Sequence, residues 1–142
     1  MQKSDADPDE FLASLPDDVR GDMITIDEAL AAVFAGDERV LWEGKFWGGT
    51  QQYIVGYGSY HYRGRSGAEG DWFVIGLAAQ KNYLSLYVNA AQEGGSLGER
   101  YASRLGKVKA KRANIQSKRA DDIDLDVLRE MASRARARTP AP

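Results

Sequence analysis

The chain has 142 residues, of which 43% are hydrophobic, and a formal net charge of −2. This length predicts one domain, residues 1–142 with an ordered core at about 8–138, that buries enough surface to need no cross-links. The absence of cysteine excludes disulfides, thiolate metal sites and cysteine nucleophiles. No apolar run approaches the roughly 20 residues that span a bilayer, so we expect a cytoplasmic protein with no membrane partner.

The N-terminal part of the chain is predicted to be helical. Asp7 and Pro8 are a typical cap and first residue of a short helix. Apolar residues then recur at steps of three and four within the segment 17–35, which predicts a second helix. Thr25 and Glu28 also fit a capping box, so the sequence leaves open whether this helix begins at residue 17 or near residue 26.

Strand-like segments fill the middle of the chain. A first strand is predicted from Arg39 to Trp47, where β-branched and aromatic residues are enriched. Three further segments predict an antiparallel meander at residues 53–63, 71–78 and 83–88. Apolar residues alternate with serine and tyrosine in the last of these strands, so one face of the sheet is expected to meet the core.

The C-terminal part returns to helix. Residues 97–105 predict a short helix that ends at Gly106, residues 113–117 a short edge strand, and Asp124 the cap of the last helix. Strands in one block with helices on either side predict an α+β fold. We expect an antiparallel sheet of four to five strands, with the helices packed on one face and the other face partly open.

Glycine and tyrosine are concentrated in the segment GYGSYHYR, residues 56–63. Glycine within a strand is typical of a bulge or of a close approach by a ligand or another backbone. The functional interpretation is a small-ligand or peptide pocket on the sheet. The alternative is sheet packing, in which glycine relieves crowding between aromatic rings. The candidate ligand-binding residues are Tyr57, Tyr60, His61, Tyr62, Arg63 and Trp42, with Trp47 nearby.

Charge is distributed unevenly along the chain. Residues 1–40 carry eleven acids against three bases, whereas residues 99–138 carry twelve Lys and Arg against six acids. In an extended segment Lys107, Lys109 and Lys111 would lie on one side, and with Arg112 they predict a site for phosphate. A solvated loop is the alternative. Because the chain as a whole is not basic, we do not expect nucleic acid as a partner.

Side chains for catalysis and metal binding are scarce. His61 is the only histidine, so one chain cannot build a zinc site or a site of two histidines and one carboxylate. No nucleophile and base are recognisable as a pair. The aspartates at two helix starts do not match a calcium loop, and no glycine pattern matches a P-loop or a dinucleotide fingerprint. We therefore favour binding without catalysis and without a required cofactor, and leave an enzyme open.

Four segments of the chain together resemble the YdhG-like family, a bacterial domain of unknown function: GYGSYHYR, GDWFVIGLAAQKNYLSLYV, LGKVKAKR and ADDIDLDVLREM. The resemblance covers about residues 11–135 and implies a curved antiparallel sheet backed by helices from both termini. Some relatives are described as frataxin-like iron chaperones that use surface acids, which implies weakly bound iron as a candidate ligand. Lys107 and Lys109 match the family pattern, whereas Val108 and Lys111 replace its histidine and glycine.

Two functions are expected from these observations. The first is a binding protein without catalysis, whose ligand is iron held by surface acids or a small molecule on the open sheet face. The alternative is an interaction or adaptor domain that recognises a phosphate-bearing or acidic partner through residues 107–112.

Overall fold

The structure is a computed structural model that describes residues 2–45, 51–63, 67, 69–89, 91–92, 95–111 and 114–138. Only the backbone is described at residues 62, 63, 91, 92, 95, 96 and 138. Two residues named above, Trp47 and Arg112, lie outside this set.

The predicted α+β class is confirmed: within the described residues, four helices accompany a seven-stranded antiparallel sheet. The helices are α1 (Pro8–Ala13), α2 (Asp17–Val33), α3 (Leu97–Leu105) and α4 (Leu125–Arg138), with a 3-10 turn at Ala120–Asp122. The strands are β1 (Gln2–Lys3), β2 (Arg39–Lys45), β3 (Gln51–Tyr57), β4 (Tyr60–Arg63), β5 (Glu69–Trp72), β6 (Ile75–Ala79), β7 (Leu84–Val88), β8 (Ala91–Gln92), β9 (Gly95–Ser96), β10 (Lys109–Ala110) and β11 (Asn114–Ser117). The large sheet has the order β1-β2-β3-β6-β7-β11-β10, while β4–β5 and β8–β9 form separate two-stranded ladders. In the described part of the chain, no helix has the length and apolar character needed to cross a membrane.

The helix ends follow local capping chemistry. α2 begins at Asp17, so Thr25 lies inside the helix and does not start it. The Thr25 hydroxyl donates to the Gly21 carbonyl one turn earlier, at 2.9 Å. Asp124 caps α4 as predicted, since one of its carboxylate oxygens accepts from the backbone N–H groups of residues 126 and 127 at 3.0 and 3.2 Å. α2 also packs against α4.

The prediction of four to five strands was too low, and the segment 53–63 is not one strand. Gly58 has a φ of +72°, which turns the chain between β3 and β4. The chain returns through β5, so that β3 pairs directly with β6 and the β4–β5 hairpin forms its own ladder. β1 and β10 are two residues long, too short to show an alternating pattern in the sequence.

One face of the large sheet packs against the helices. Strand register places Val55, Leu77, Leu86 and Ile115 in one row across four strands. All four are fully or almost fully buried. They join a core cluster with side chains from every helix, including Leu12, Met23, Leu30, Leu105, Leu128 and Met131.

The second face of the sheet carries a smaller aromatic cluster. It consists of Trp42, Ile54, Phe73, Ala78 and Tyr87, with Trp72 packed against it. Register partners Gly56 and Gly76 lie beneath these rings: a Cβ atom would come within 2.6 Å of the Trp42 ring at position 56 and 2.5 Å of the Phe73 ring at position 76. Here glycine relieves crowding between aromatic rings, as the packing interpretation predicted.

Candidate functional site

A cleft of about 540 Å³ lies at the β10 edge of the large sheet. Four chain segments meet there: the β6–β7 turn, the connection from α3 into β10, the end of β11, and the 3-10 turn. Its volume is within the range of small-molecule sites. The lining residues are Asn82, Tyr83, Gly106, Lys107, Val108, Lys109, Gln116, Ser117, Lys118 and Asp122.

The register of β10 and β11 brings lysines from two segments together. Lys109 lies opposite Gln116. Ile115, the neighbour of Gln116, is buried in the core against the helices, so Lys109 and Gln116 are on the second face of the sheet. Lys107 lies in the bend before β10 and Lys118 in the bend after β11. Both line the same cleft as Lys109.

The connection from α3 to β10 has a fixed backbone. Gly106 ends α3 with a φ of +123°, and a Cβ there would stand 2.1 Å from the Asp122 carbonyl oxygen. The Lys107 N–H donates to that same oxygen at 2.9 Å, and the Asp124 N–H donates to the Leu105 carbonyl at 2.7 Å. The backbone of Lys107 is thus held against the 3-10 turn, which sets where its side chain begins.

The cleft has an excess of positive charge. Lys107, Lys109 and Lys118 are exposed. Within the described residues, none of these three ammonium groups has a carboxylate within 4.0 Å. With the lining Asp122 they give a net side-chain charge of +2. Lys111 is exposed at the residue after β10.

Tyr57, a predicted ligand-binding residue, instead takes part in a buried network on the helix side. Its hydroxyl donates to Asp27 of α2. Arg39 donates to both oxygens of the same carboxylate, at 3.1 and 2.8 Å, and to Asp9 at 2.8 Å. Burial and the neighbouring Asp27 raise the pKa of Tyr57 well above its usual value. Burial lowers the pKa of Arg39, but Asp27 and Asp9, with a smaller contribution from Tyr57, together raise it above its usual value.

The predicted sheet-face residues are not brought into one pocket. Trp42 and Tyr57 lie on opposite faces of the sheet, in separate core clusters. Tyr60 packs against the helix-side cluster. Trp42 and Lys109 lie on strands five spacings apart in the sheet order, about 24 Å. Of the predicted residues, Lys107 and Lys109 are those that line the cleft.

His61 is an exposed residue of the β4–β5 hairpin. Its Nδ1 lies 3.0 Å from the carboxylate of Asp71, its cross-strand partner, and its Nε2 lies 3.4 Å from Glu69. The hydrogen bonds to Asp71 and Glu69 raise the pKa of His61. Since the two carboxylates meet opposite ring nitrogens, one metal ion cannot bind all three groups in this arrangement. Tyr62 and Arg63 continue β4, and their side chains lie outside the described set.

The acidic surface offers little for a cation. Among the described residues, no group of three or more histidine and carboxylate side chains is placed to hold a metal ion. At the start of α2, Asp17 pairs with Arg20 at 2.6 Å and Asp22 pairs with Arg119 at 2.7 Å.

Several cleft residues were not predicted from the sequence. The sequence predicts a strand at Tyr83 and at Gln116 without a role for either, and it predicts neither an element nor a role for Lys118. One signal in the sequence could have found them: the segment 107–118 can be interpreted as a hairpin. Pairing of its two arms would have placed Gln116 and Lys118 beside Lys107 and Lys109.

Comparison with known proteins identifies no relative: no family model, curated protein or solved structure that was searched matches the chain. The resemblance to the YdhG-like family therefore stays a prediction. Any inference about the function therefore rests on the geometry of the fold and of the cleft.

Proposed function

We propose that this chain is a binding protein whose cleft holds a phosphate-bearing small molecule. The observation that carries the proposal is the convergence of Lys107, Lys109 and Lys118 on one cleft without carboxylate partners among the described residues. Like charges gathered in one place repel each other, and a bound anion relieves that repulsion. The proposal takes the basic segment from the alternative function stated above, adds Lys118, and replaces the phosphate-bearing or acidic partner of an interaction domain by a small molecule.

Other charges near the cleft do not reverse its sign. α3 ends at the cleft, and the C-terminal end of a helix acts as about half a negative charge. The Leu105 carbonyl at this end already accepts a hydrogen bond from Asp124. Half a charge is small beside the net side-chain charge of +2 from the lining residues. The local potential therefore favours an anion.

Lysine suits phosphate better than it suits a planar carboxylate. The ammonium group is a compact charge with three rotatable donors, and it binds phosphate oxygens from many directions. Three such groups, from the chain leading into β10 and the residue after β11, surround a tetrahedral anion more readily than they match a flat one. Bidentate carboxylate recognition is typical of arginine, and among the described residues no arginine lines the cleft.

Two other candidate functions have less support. Iron bound by surface acids would need clustered carboxylates, and Asp17 and Asp22 are engaged by arginines. A ligand on the second face near Trp42 would need open aromatic surface. Trp42, Phe73 and Tyr87 are instead buried against one another.

The direct test is an NMR titration of the protein with inorganic phosphate and pyrophosphate at low ionic strength. We expect saturable amide shifts confined to residues 82–83, 106–109 and 116–118. Replacing Lys107, Lys109 and Lys118 together by glutamine should weaken binding at least tenfold, since a hydrogen bond to a charged group contributes about 1.5–3 kcal/mol. Binding should also weaken as salt is added.

Lys45→Gln is the matched control. Lys45 is an exposed lysine of β2, and β2 is separated from β11 by three intervening strands. This variant makes the same lysine-to-glutamine change at one position outside the cleft and should bind as the wild-type protein does. Each of the three cleft lysines replaced singly by glutamine is compared with it. Shifts that are absent at millimolar pyrophosphate, or that persist in the triple variant, would rule the proposal out.

A further inference from the structure

The lysines occupy one part of the cleft, and the rest of its lining has different chemistry. Tyr83 and Val108 contribute apolar surface, and Asn82 and Gln116 contribute side-chain amides. A cleft of about 540 Å³ is far larger than a phosphate group needs. The remaining space therefore has its own lining of one aromatic ring, one aliphatic side chain and two amides.

Tyr83 is placed differently from the other aromatic residues described. Phe11 and Tyr53 contact each other, as do Phe34 and Tyr57, and Trp42, Trp72, Phe73 and Tyr87 form one cluster. Tyr101 lies between two arginines. Within the described part of the chain, Tyr83 has no ring or cation partner of this kind, and it is half-buried at the cleft wall. One aromatic ring is thus available to a ligand.

The sheet places this ring at a useful distance from the lysines. Leu84 pairs with Ser117, so Tyr83 and Lys118 are the next residues along their two neighbouring strands. β10, with Lys109, lies one strand further. Lys109 pairs with Gln116, and Gln116 pairs with Ser85, so Lys109 and Tyr83 are two strand spacings and two residues apart, about 12 Å between backbones. Side chains that extend toward each other shorten this span to that of a compact molecule with a ring at one end and a phosphate at the other.

We infer that the ligand is a nucleoside monophosphate, with its base stacked on Tyr83 and its phosphate among Lys107, Lys109 and Lys118. The inference rests on the proposed phosphate-binding function and adds the class of ligand. Asn82 and Gln116 supply donors and acceptors for the edge of the base. The P-loop and dinucleotide motifs are not needed, because side chains rather than a glycine-rich backbone hold the phosphate.

The test compares the four ribonucleoside 5′-monophosphates with ribose 5-phosphate, with Kd measured by NMR titration. We expect at least one nucleotide to bind about tenfold or more tightly than ribose 5-phosphate, the size of effect that base stacking on an aromatic ring gives. Tyr83→Ala should remove this difference while it leaves the Kd of ribose 5-phosphate unchanged. Tyr83→Phe should retain the difference, because the ring is preserved.

The possible failures are distinguishable. If ribose 5-phosphate and all four nucleotides bind equally, or if Tyr83→Ala leaves their ratio unchanged, the inference about the ligand is wrong and phosphate binding still holds. If no phosphate compound binds, the proposed function itself fails. If ribose 5-phosphate loses affinity with Tyr83→Ala as much as the nucleotides do, the residue supports the cleft wall and does not stack on a base.

Discussion

The hydroxyl of Tyr57 is a structural group, and Tyr57→Phe tests this directly. The side chain is 0% exposed, and its hydroxyl donates to Asp27 of α2. The change removes one oxygen and keeps the ring in place against Phe34. Asp27 stays bonded to Arg39 through both carboxylate oxygens. The variant therefore loses one charge-assisted hydrogen bond and little else.

The expected loss of stability follows from this geometry. A hydrogen bond to a charged group contributes about 1.5–3 kcal/mol. Because Arg39 still satisfies Asp27, we expect the lower part of this range, about 2 kcal/mol. For a chain of this length the loss corresponds to a fall in Tm of roughly 5–8 °C.

Urea denaturation followed by circular dichroism measures the effect. The midpoint should fall while the m-value stays unchanged, since the surface exposed on unfolding is the same. Tyr53→Phe is the matched control: Tyr53 is 44% exposed on the same strand, and its loss of a hydroxyl should cost less than about 0.5 kcal/mol. Combined with Asp27→Asn, the two losses should be less than additive. A Tyr57→Phe variant as stable as the control would refute the network as a source of stability.

Three further predictions concern the β4–β5 hairpin, the backbone at the cleft and α2. In an NMR titration the pKa of His61 should lie above 6.5, and Asp71→Asn should lower it. The hydrogen bonds of protonated His61 to the two carboxylates stabilise the folded state fully below pH 6.5. Because the pKa of His61 is raised in the folded state, this stabilisation is lost as the pH rises through that pKa. Gly106→Ala should destabilise the protein by about 2–4 kcal/mol in urea denaturation, since it combines an unfavourable φ with a contact to the Asp122 carbonyl. Gly21→Ala, within α2 and with nothing within 4 Å of the added Cβ, should stabilise it by about 0.5–1 kcal/mol, and a loss there would contradict this account.

Local chemistry made the helices predictable from the sequence. Asp7 and Asp124 accept backbone hydrogen bonds at the starts of α1 and α4, as their positions indicated. Gly106 ends α3 as predicted. Such signals act within one helical turn, so they need no knowledge of the fold. The start of α2 stayed open because its first half combined weak helix formers with a second plausible cap.

The arrangement of the strands depended on information that a short segment does not contain. GYGSYHYR has the composition of one strand, yet the positive φ of Gly58 divides it, and the β4–β5 hairpin leaves the large sheet. The lining of the cleft likewise could not be predicted in full from short segments of the sequence. Lys107 and Lys109 were predicted from their alternation, whereas Lys118 joins them through the pairing of β10 with β11. That pairing is a non-local fact, and sequence alternation alone does not fix a register.

The second face of the sheet differs between its two ends for a physical reason. Between β2 and β7, Gly56 and Gly76 make room for large rings, which bury one another and need no ligand. Toward β10 the same face carries Gln116 and Lys109, with Lys107 and Lys118 at the adjoining cleft, and ammonium groups are not buried without an opposite charge. Packing therefore closes the first end and leaves the second open to solvent. A binding site is expected where the sheet keeps unpaired charge beside apolar surface, and the β10 edge meets this condition.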